Sequence, residues 1–284
     1  MRTARRLRHW ANLLLNADYR AARNQAQHSA VEKARLARLP RFTRTTTDLL
    51  GTPVLLVDAP SFLWTYEEVF DNRIYEFSAE SSTPYIIDGG ANIGLSVLFF
   101  KSLYPHARIT CFEPDEDIRA VLQRNIASLA DVTVEPFALA PLAAVASFVS
   151  DGADGGRLAA AGIDRQPTRV VRTVRLRDYL DRQVDMLKLD IEGSETEVLL
   201  DSADRLHFVR RVYTEYHSFA DRPQTLHLLL GVLHDAGFRI HVTPAAVSRQ
   251  PFVRPRSHPA FDMQLHVFGY RVDDVSASPP VQQS

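Results

Sequence analysis

The stretch Tyr85-Ile-Ile-Asp-Gly-Gly-Ala-Asn-Ile-Gly94 constrains the fold more than any other part of the chain. Tyr85, Ile86 and Ile87 form an apolar run suited to a parallel strand covered on both faces. Asp88 ends that strand. Gly89 and Gly90 let the backbone turn sharply and leave room for a ligand to lie against it. Asn92 is placed to cap a helix from about Ile93 to Leu103. A turn of this kind, after the first strand of an open α/β sheet, is where nucleotide-like ligands bind.

The next strand narrows the ligand. Arg108-Ile-Thr-Cys-Phe-Glu113 is apolar and β-rich and ends in a carboxylate placed to accept hydrogen bonds from ribose hydroxyls. NAD and S-adenosylmethionine both satisfy that. The glycines fall at 89, 90 and 94, so the dinucleotide pattern G-x-G-x-x-G is absent. Asp88 also sits where a dinucleotide needs backbone amides facing a pyrophosphate. Its charge repels phosphate and suits the cationic methionine end of S-adenosylmethionine.

From Pro84 to about Tyr270 strands and helices alternate, which implies a doubly wound α/β sheet. Strands are expected at about 132–138, at 146–149 and 169–174 around a glycine-rich loop, and at 184–190, 209–217, 238–243 and 263–270. Helices are expected near 115–129, around 178–180, and at 194–205 and 224–236. Only a loop separates 238–243 from 263–270, so these two are expected to form an antiparallel hairpin at the sheet's edge. Four regions follow: a basic helical extension at 1–49, a prelude or cap of short elements at 50–83, the main domain at 84–271, and a polar tail at 272–284 read as disordered.

The segment Asp185-Met-Leu-Lys-Leu-Asp-Ile-Glu-Gly-Ser-Glu195 brings Asp190, Glu192 and Glu195 to the same edge as the glycine turn. Carboxylates crowded beside a crevice are costly unless solvated, hydrogen-bonded or paired. Helix capping accounts for Glu195 as well as function does, because a helix N-terminus favours acidic groups. Tyr213, Glu215 and His217 alternate onto one side of the next strand. If the strands are adjacent, Asp190 and Glu215 emerge as neighbours. The ordinary pKa of His217 matches proton removal from a hydroxyl better than that of a carboxylate, so it is the first candidate base. Asp190 and Glu215 are then its orienting partners. Asp190 as the base, or a divalent ion held by Asp190 and Glu215, are the alternatives; no histidine cluster supports a metal, and none is expected.

The runs D-G-G-A-N-I-G at 88–94, C-F-E-P-D at 111–115 and L-K-L-D-I-E-G-S-E at 187–195 together resemble the FkbM family of methyltransferases, which use S-adenosylmethionine. The third run is the distinctive one. The resemblance covers residues 84–217 and extends to about 60–271 through T-Y-E-E-V-F, E-Y-H-S-F and F-G-Y-R. It implies a seven-stranded class I methyltransferase (Rossmann-like) sheet with an antiparallel last strand. It also implies O-methylation of a sugar, glycan or other secondary-metabolite hydroxyl. Asp88, Gly89, Gly90, Asn92, Gly94, Glu113 and Asp190 are the implied cofactor positions. Glu192 and Glu195 complete the acidic motif, and Tyr66 is a candidate acceptor contact. Gly89 departs from the D-V-G or D-C-G more usual in the family. A nicotinamide-dependent oxidoreductase and a non-catalytic nucleotide-binding module remain the alternatives.

Composition sets the remaining bounds. A net charge of −1 gives no global field for nucleic acid, and none is expected as a partner. One cysteine rules out a disulfide framework and a three-cysteine iron–sulfur cluster. Cys111 reads as a core residue. Residues 1–44 hold ten arginines and Lys33 against Asp18 and Glu32. Leu7, Trp10, Ala11 and Leu14 share one helical face there. A solvated helix packing on the domain is the plain reading, and peripheral contact with an anionic membrane the sharper one. With no signal-like or membrane-spanning run, a cytoplasmic location is expected.

Overall fold

Strands buried on both faces need helices on both sides, and the alternation after residue 84 supplies them. The computed structural model of the chain describes residues 17–159, 168–257 and 260–272, with residues 17–24 described by their backbone alone. Two compact units divide at Thr65/Tyr66. That boundary differs from the 49/50 and 83/84 expected from sequence.

In the first unit, helix α1 (Ala17–Leu36) is followed by β1 (Thr45–Thr47), which pairs antiparallel with β2 (Val54–Leu56). Helix α2 (Ala59–Tyr66) begins beside buried Asp58, which accepts from the Phe42 amide at 2.7 Å and the Ser61 hydroxyl at 2.8 Å. The apolar face drawn from Leu7 to Leu14 lies outside the described residues, as does the tail after Val272.

The second unit opens with a π-helical turn, Glu67–Asp71. It continues with β3 (Tyr85–Gly89), α3 (Leu95–Leu103), β4 (Arg108–Phe112), α4 (Glu116–Asn125), β5 (Val132–Glu135) and β6 (Ala138–Leu139). Then come β7 (Val145–Val149), β8 (Arg157–Leu158), β9 (Thr168–Val174), β10 (Met186–Leu189), α5 (Glu195–Asp201), β11 (Arg211–Phe219), α6 (Leu226–Asp235), β12 (Arg239–Val247) and β13 (Phe261–Tyr270). The main sheet has seven strands in the order β12-β13-β11-β10-β3-β4-β5. The strands from β5 to β11 are parallel, and β13 inserts antiparallel between β11 and β12. The expected hairpin therefore forms, with β12 at the edge. One face of the sheet is covered by α3 and α4 through Val97, Phe99, Phe100 and Leu122. The other is covered by α5 and α6 through Val198, Leu199, Leu229 and Leu233.

Several boundaries shift for identifiable reasons. The strand expected at 132–138 stops at Glu135, because Pro136 has no N–H to continue the ladder. Its remainder, β6, joins a separate four-stranded sheet, β6-β9-β7-β8. Asp115 caps α4, accepting from the Asp117 amide at 2.9 Å. Asn92 does not cap α3: that position belongs to Gly94, whose φ of 95° only glycine adopts without strain. β12 runs on to Val247, shortening the cap region expected at 244–261.

The register aligns the functional edge. Phe112, Gly89, Leu189, Thr214 and Val267 stand in one row across the sheet. One step further, the row reads Glu113, Gly90, Asp190, Glu215 and His266, with Glu215 directly opposite His266. β11 outruns β10, whose last partner is Thr214, so Glu215 to Phe219 project beside the loop that follows β10.

Candidate active site

The glycine turn is locked to the strand beside it. A Cβ at Gly90, where φ is 79°, would lie 1.8 Å from the Asp190 carbonyl oxygen. No other residue fits that crossing. Behind the turn lies a side chain the sequence reading did not single out. Lys188 is a direct cross-strand neighbour of Asp88, and both are buried. Its ammonium stands 3.1 Å from Asp88 Oδ1 and 3.8 Å from Asp190 Oδ2, and donates to the Gly90 carbonyl at 2.8 Å. Burial pushes the Lys188 pKa down, but Asp88 and Asp190 outweigh it and raise the pKa above its usual value. The signal was a lone lysine in the otherwise apolar Met186-Leu-Lys-Leu189.

That pairing corrects the role expected of Asp88. Its carboxylate is fully buried, takes the Ser96 hydroxyl at 2.5 Å, and is neutralised by Lys188. No free charge remains on it for a cationic ligand. Asp88 instead fixes the strand end from which the turn departs.

Glu113 follows β4 and is also buried. Its two oxygens accept from the amides of Asn92 at 3.0 Å and Asp115 at 2.9 Å. Burial outweighs those bonds and pushes its pKa up to about 7. Each oxygen keeps a lone pair for another donor. Asn92 has a φ of 48° and donates its side-chain amide to the Ala153 carbonyl at 2.9 Å. This ties the glycine-rich loop at 151–156 to the turn.

On the other side of Asp190 the carboxylates crowd. Glu195 accepts from the amides of Ile191 at 3.1 Å and Gly193 at 3.0 Å, and its Oε1 lies 3.0 Å from His217 Nδ1. Its capping reading and its site reading thus merge: it shapes the loop and orients the imidazole. His217 Nε2 faces Glu192 at 3.4 Å and Glu215 at 3.7 Å. Burial lowers the His217 pKa, but Glu192, Glu195 and Glu215 together hold it well above its usual value. The imidazole expected to act as a base thus shares its protons with three neighbouring carboxyl groups, which favour its protonated form. Burial raises Glu192 to about 8 and lifts Glu215 well above the carboxylate range. Glu192 also holds a φ of 57°, a strained backbone for a side chain of its size.

Asp190, Glu215 and His217 offer ligand atoms within 4.8 Å of one another. Strand adjacency brings them together as the alternation implied. Tyr66 is not part of this group; it stacks on Phe70 at 5.3 Å. Two residues the sequence reading left out do join it from the far side. Glu68 and His266 form a second triad with Glu215, again within 4.8 Å. Glu68 lies within the quoted T-Y-E-E-V-F run, and His266 becomes visible only once β13 is placed beside β11.

Residues 88–240, more than half of the chain, match the methyltransferase FkbM domain. The chain belongs to this family. Methyltransferase sdnD of Sordaria araneosa is 30% identical over 217 residues, covering 62% of this chain and 81% of that protein. The 2-O-methyltransferase NoeI of Sinorhizobium fredii is 27% identical over 157 residues, covering 48% of this chain and 65% of that one. The solved structure of methyltransferase FkbM from Methylobacillus flagellatus aligns with a TM-score of 0.44 and 18% identity, over 68% of this chain and 45% of that chain. This FkbM-family chain is an enzyme, a methyltransferase, which removes the oxidoreductase and non-catalytic alternatives. Among its described residues no helix is long and apolar enough to cross a membrane.

Proposed function

We propose that this methyltransferase transfers the methyl of S-adenosylmethionine to a hydroxyl of a sugar, glycan or related secondary metabolite. The observation that carries the reading is the row Glu113, Gly90, Asp190, Glu215 at the carboxyl edge of the sheet. It sets acceptor-rich groups beside a turn that only glycine can form. The acceptor set suits a ligand with ribose hydroxyls, an ammonium and a sulfonium, and suits a pyrophosphate poorly. Glu113 would take the ribose hydroxyls, and the backbone at 89–91 would line the cofactor. The 2-O-methyltransferase name of NoeI points the same way.

When bound, the cofactor supplies an electrophilic methyl group. The chain's own residues must hold an acceptor hydroxyl in line with it and take up the hydroxyl proton. Asp190 flanks the open end of the row and is the carboxylate placed to accept that proton, with Glu215 beside it to position the hydroxyl. His217 stands between Glu192 and Glu215 and holds the two carboxyl groups in place. The acceptor enters beside the projecting end of β11.

Calorimetric titration with S-adenosylhomocysteine, with NADH as control and Glu113→Gln as a weakened variant, tests the cofactor. Binding of the first ligand alone, weakened in the variant, is expected. Failure of S-adenosylhomocysteine to bind would end the reading. Labelled methyl donor offered to a panel of glycans then tests the acceptor.

A further inference from the structure

We propose that Glu68, Glu215 and His266 form a binding site for a single first-row transition-metal dication. The three come from separate elements: the π-helical turn, β11 and β13. His266 Nε2 lies 3.2 Å from Glu68 Oε1. Neighbouring ligands on an ion with bonds of about 2.1 Å stand about 3 Å apart, so this pair already has the spacing of adjacent ligands. Glu215 sits opposite His266 in the ladder and completes the triad within 4.8 Å.

Two buried polar atoms without hydrogen-bond partners belong to neighbouring rings at this place. His266 is 5% exposed, and its Nε2 makes no hydrogen bond of acceptable geometry. The Tyr213 hydroxyl is fully buried and likewise has no hydrogen-bond partner. Its ring lies 5.7 Å from that of His266. A water or acceptor oxygen on a metal would give this phenol the partner it lacks.

The neighbouring triad of Asp190, Glu215 and His217 is a poorer cation site. The Lys188 ammonium is 3.8 Å from Asp190, and both His217 nitrogens already face carboxylates. Among the described residues no lysine or arginine pairs with Glu68 or Glu215, and the carboxylate that His266 Nε2 faces is Glu68, itself one of the triad. One imidazole with two carboxylates suits manganese or zinc; magnesium and calcium favour all-oxygen sites. A metal there would stand one strand from Asp190. It would lower the pKa of a coordinated acceptor hydroxyl. That use rests on the methyl-transfer reading; the site itself does not.

The test is titration of the full chain, stripped with chelator and dialysed, with MnCl2 or ZnCl2, and with MgCl2 and CaCl2 as controls. S-adenosylhomocysteine binding is measured on the same samples. One equivalent of manganese or zinc is expected, with affinity falling at least about tenfold in both Glu68→Gln and His266→Gln. Retained S-adenosylhomocysteine binding shows that the variants are folded. No transition-metal uptake by protein that binds S-adenosylhomocysteine overturns the site, as does uptake that survives both substitutions. Metal uptake without S-adenosylhomocysteine binding supports the site and removes the cofactor reading instead.

Discussion

Two groups of carboxylates stand at the same sheet edge and are treated differently. Asp88, Glu113 and Glu195 are each given donors: a hydroxyl and an ammonium, two backbone amides, or two amides and an imidazole. Among the described residues, Asp190, Glu192 and Glu215 are held by ion pairs alone, at 3.4–3.8 Å. The first group builds the frame. The second is left to share protons with the lysine and histidine beside it. Equal chemistry on paper thus divides by how fully each acid is satisfied.

The sharpest way to break this contrast is to remove the frame's cation. Lys188→Met leaves Asp88 buried without a counter-ion and should cost about 3–5 kcal/mol in urea denaturation. Adding Asp88→Asn should recover most of that loss, since no charge is then stranded. Glu215→Gln belongs to the other group. It should cut methyl transfer at least about a hundredfold, with a melting temperature equal to or above that of the parent. A large fall in stability would place Glu215 with the frame instead.

Glu113 belongs to the frame, and in the proposed reading it also takes the cofactor's ribose hydroxyls, so it sharpens the division. Its folded pKa of about 7 is raised from 4.5. If ribose hydroxyls donate to the ionised form, as proposed, S-adenosylhomocysteine affinity should rise about tenfold from pH 6 to pH 8. The Glu113→Gln variant should show a flat profile. Stability runs the opposite way. The folded state holds this proton longer than the unfolded one, so stability present below pH 4.5 is lost as pH rises through about 7. The smallest effect is expected at Glu192. Glu192→Gly removes both a left-handed side chain and a crowded carboxylate, and should stabilise by up to about 1 kcal/mol while lowering activity.

Much of the framework was legible. The apolar runs gave the strands, and alternation put Glu215 and His217 on one side of theirs. What the sequence hid was burial. Lys188 reads as one charge among many until β3 and β10 pair and close it against Asp88. His217 reads as a neutral base until three carboxylates surround it. Asn92 has the chemistry of a helix cap, but Gly94 takes the cap and frees the Asn92 amide for Ala153. Glu68 and His266 lie about two hundred residues apart, and only the insertion of β13 between β11 and β12 makes them neighbours.

The overhang of β11 has a further consequence. From Glu215 to Phe219 the strand has lost β10 and is braced on one side by β13 alone. It is a cantilever, while the glycine turn is clamped between β4 and β10. A cantilever can be lengthened, bent or tipped by changes in β13 and in the 248–257 loop without disturbing the clamp. The chain therefore has one end that can be retuned for new acceptors and another that stays fixed while this happens.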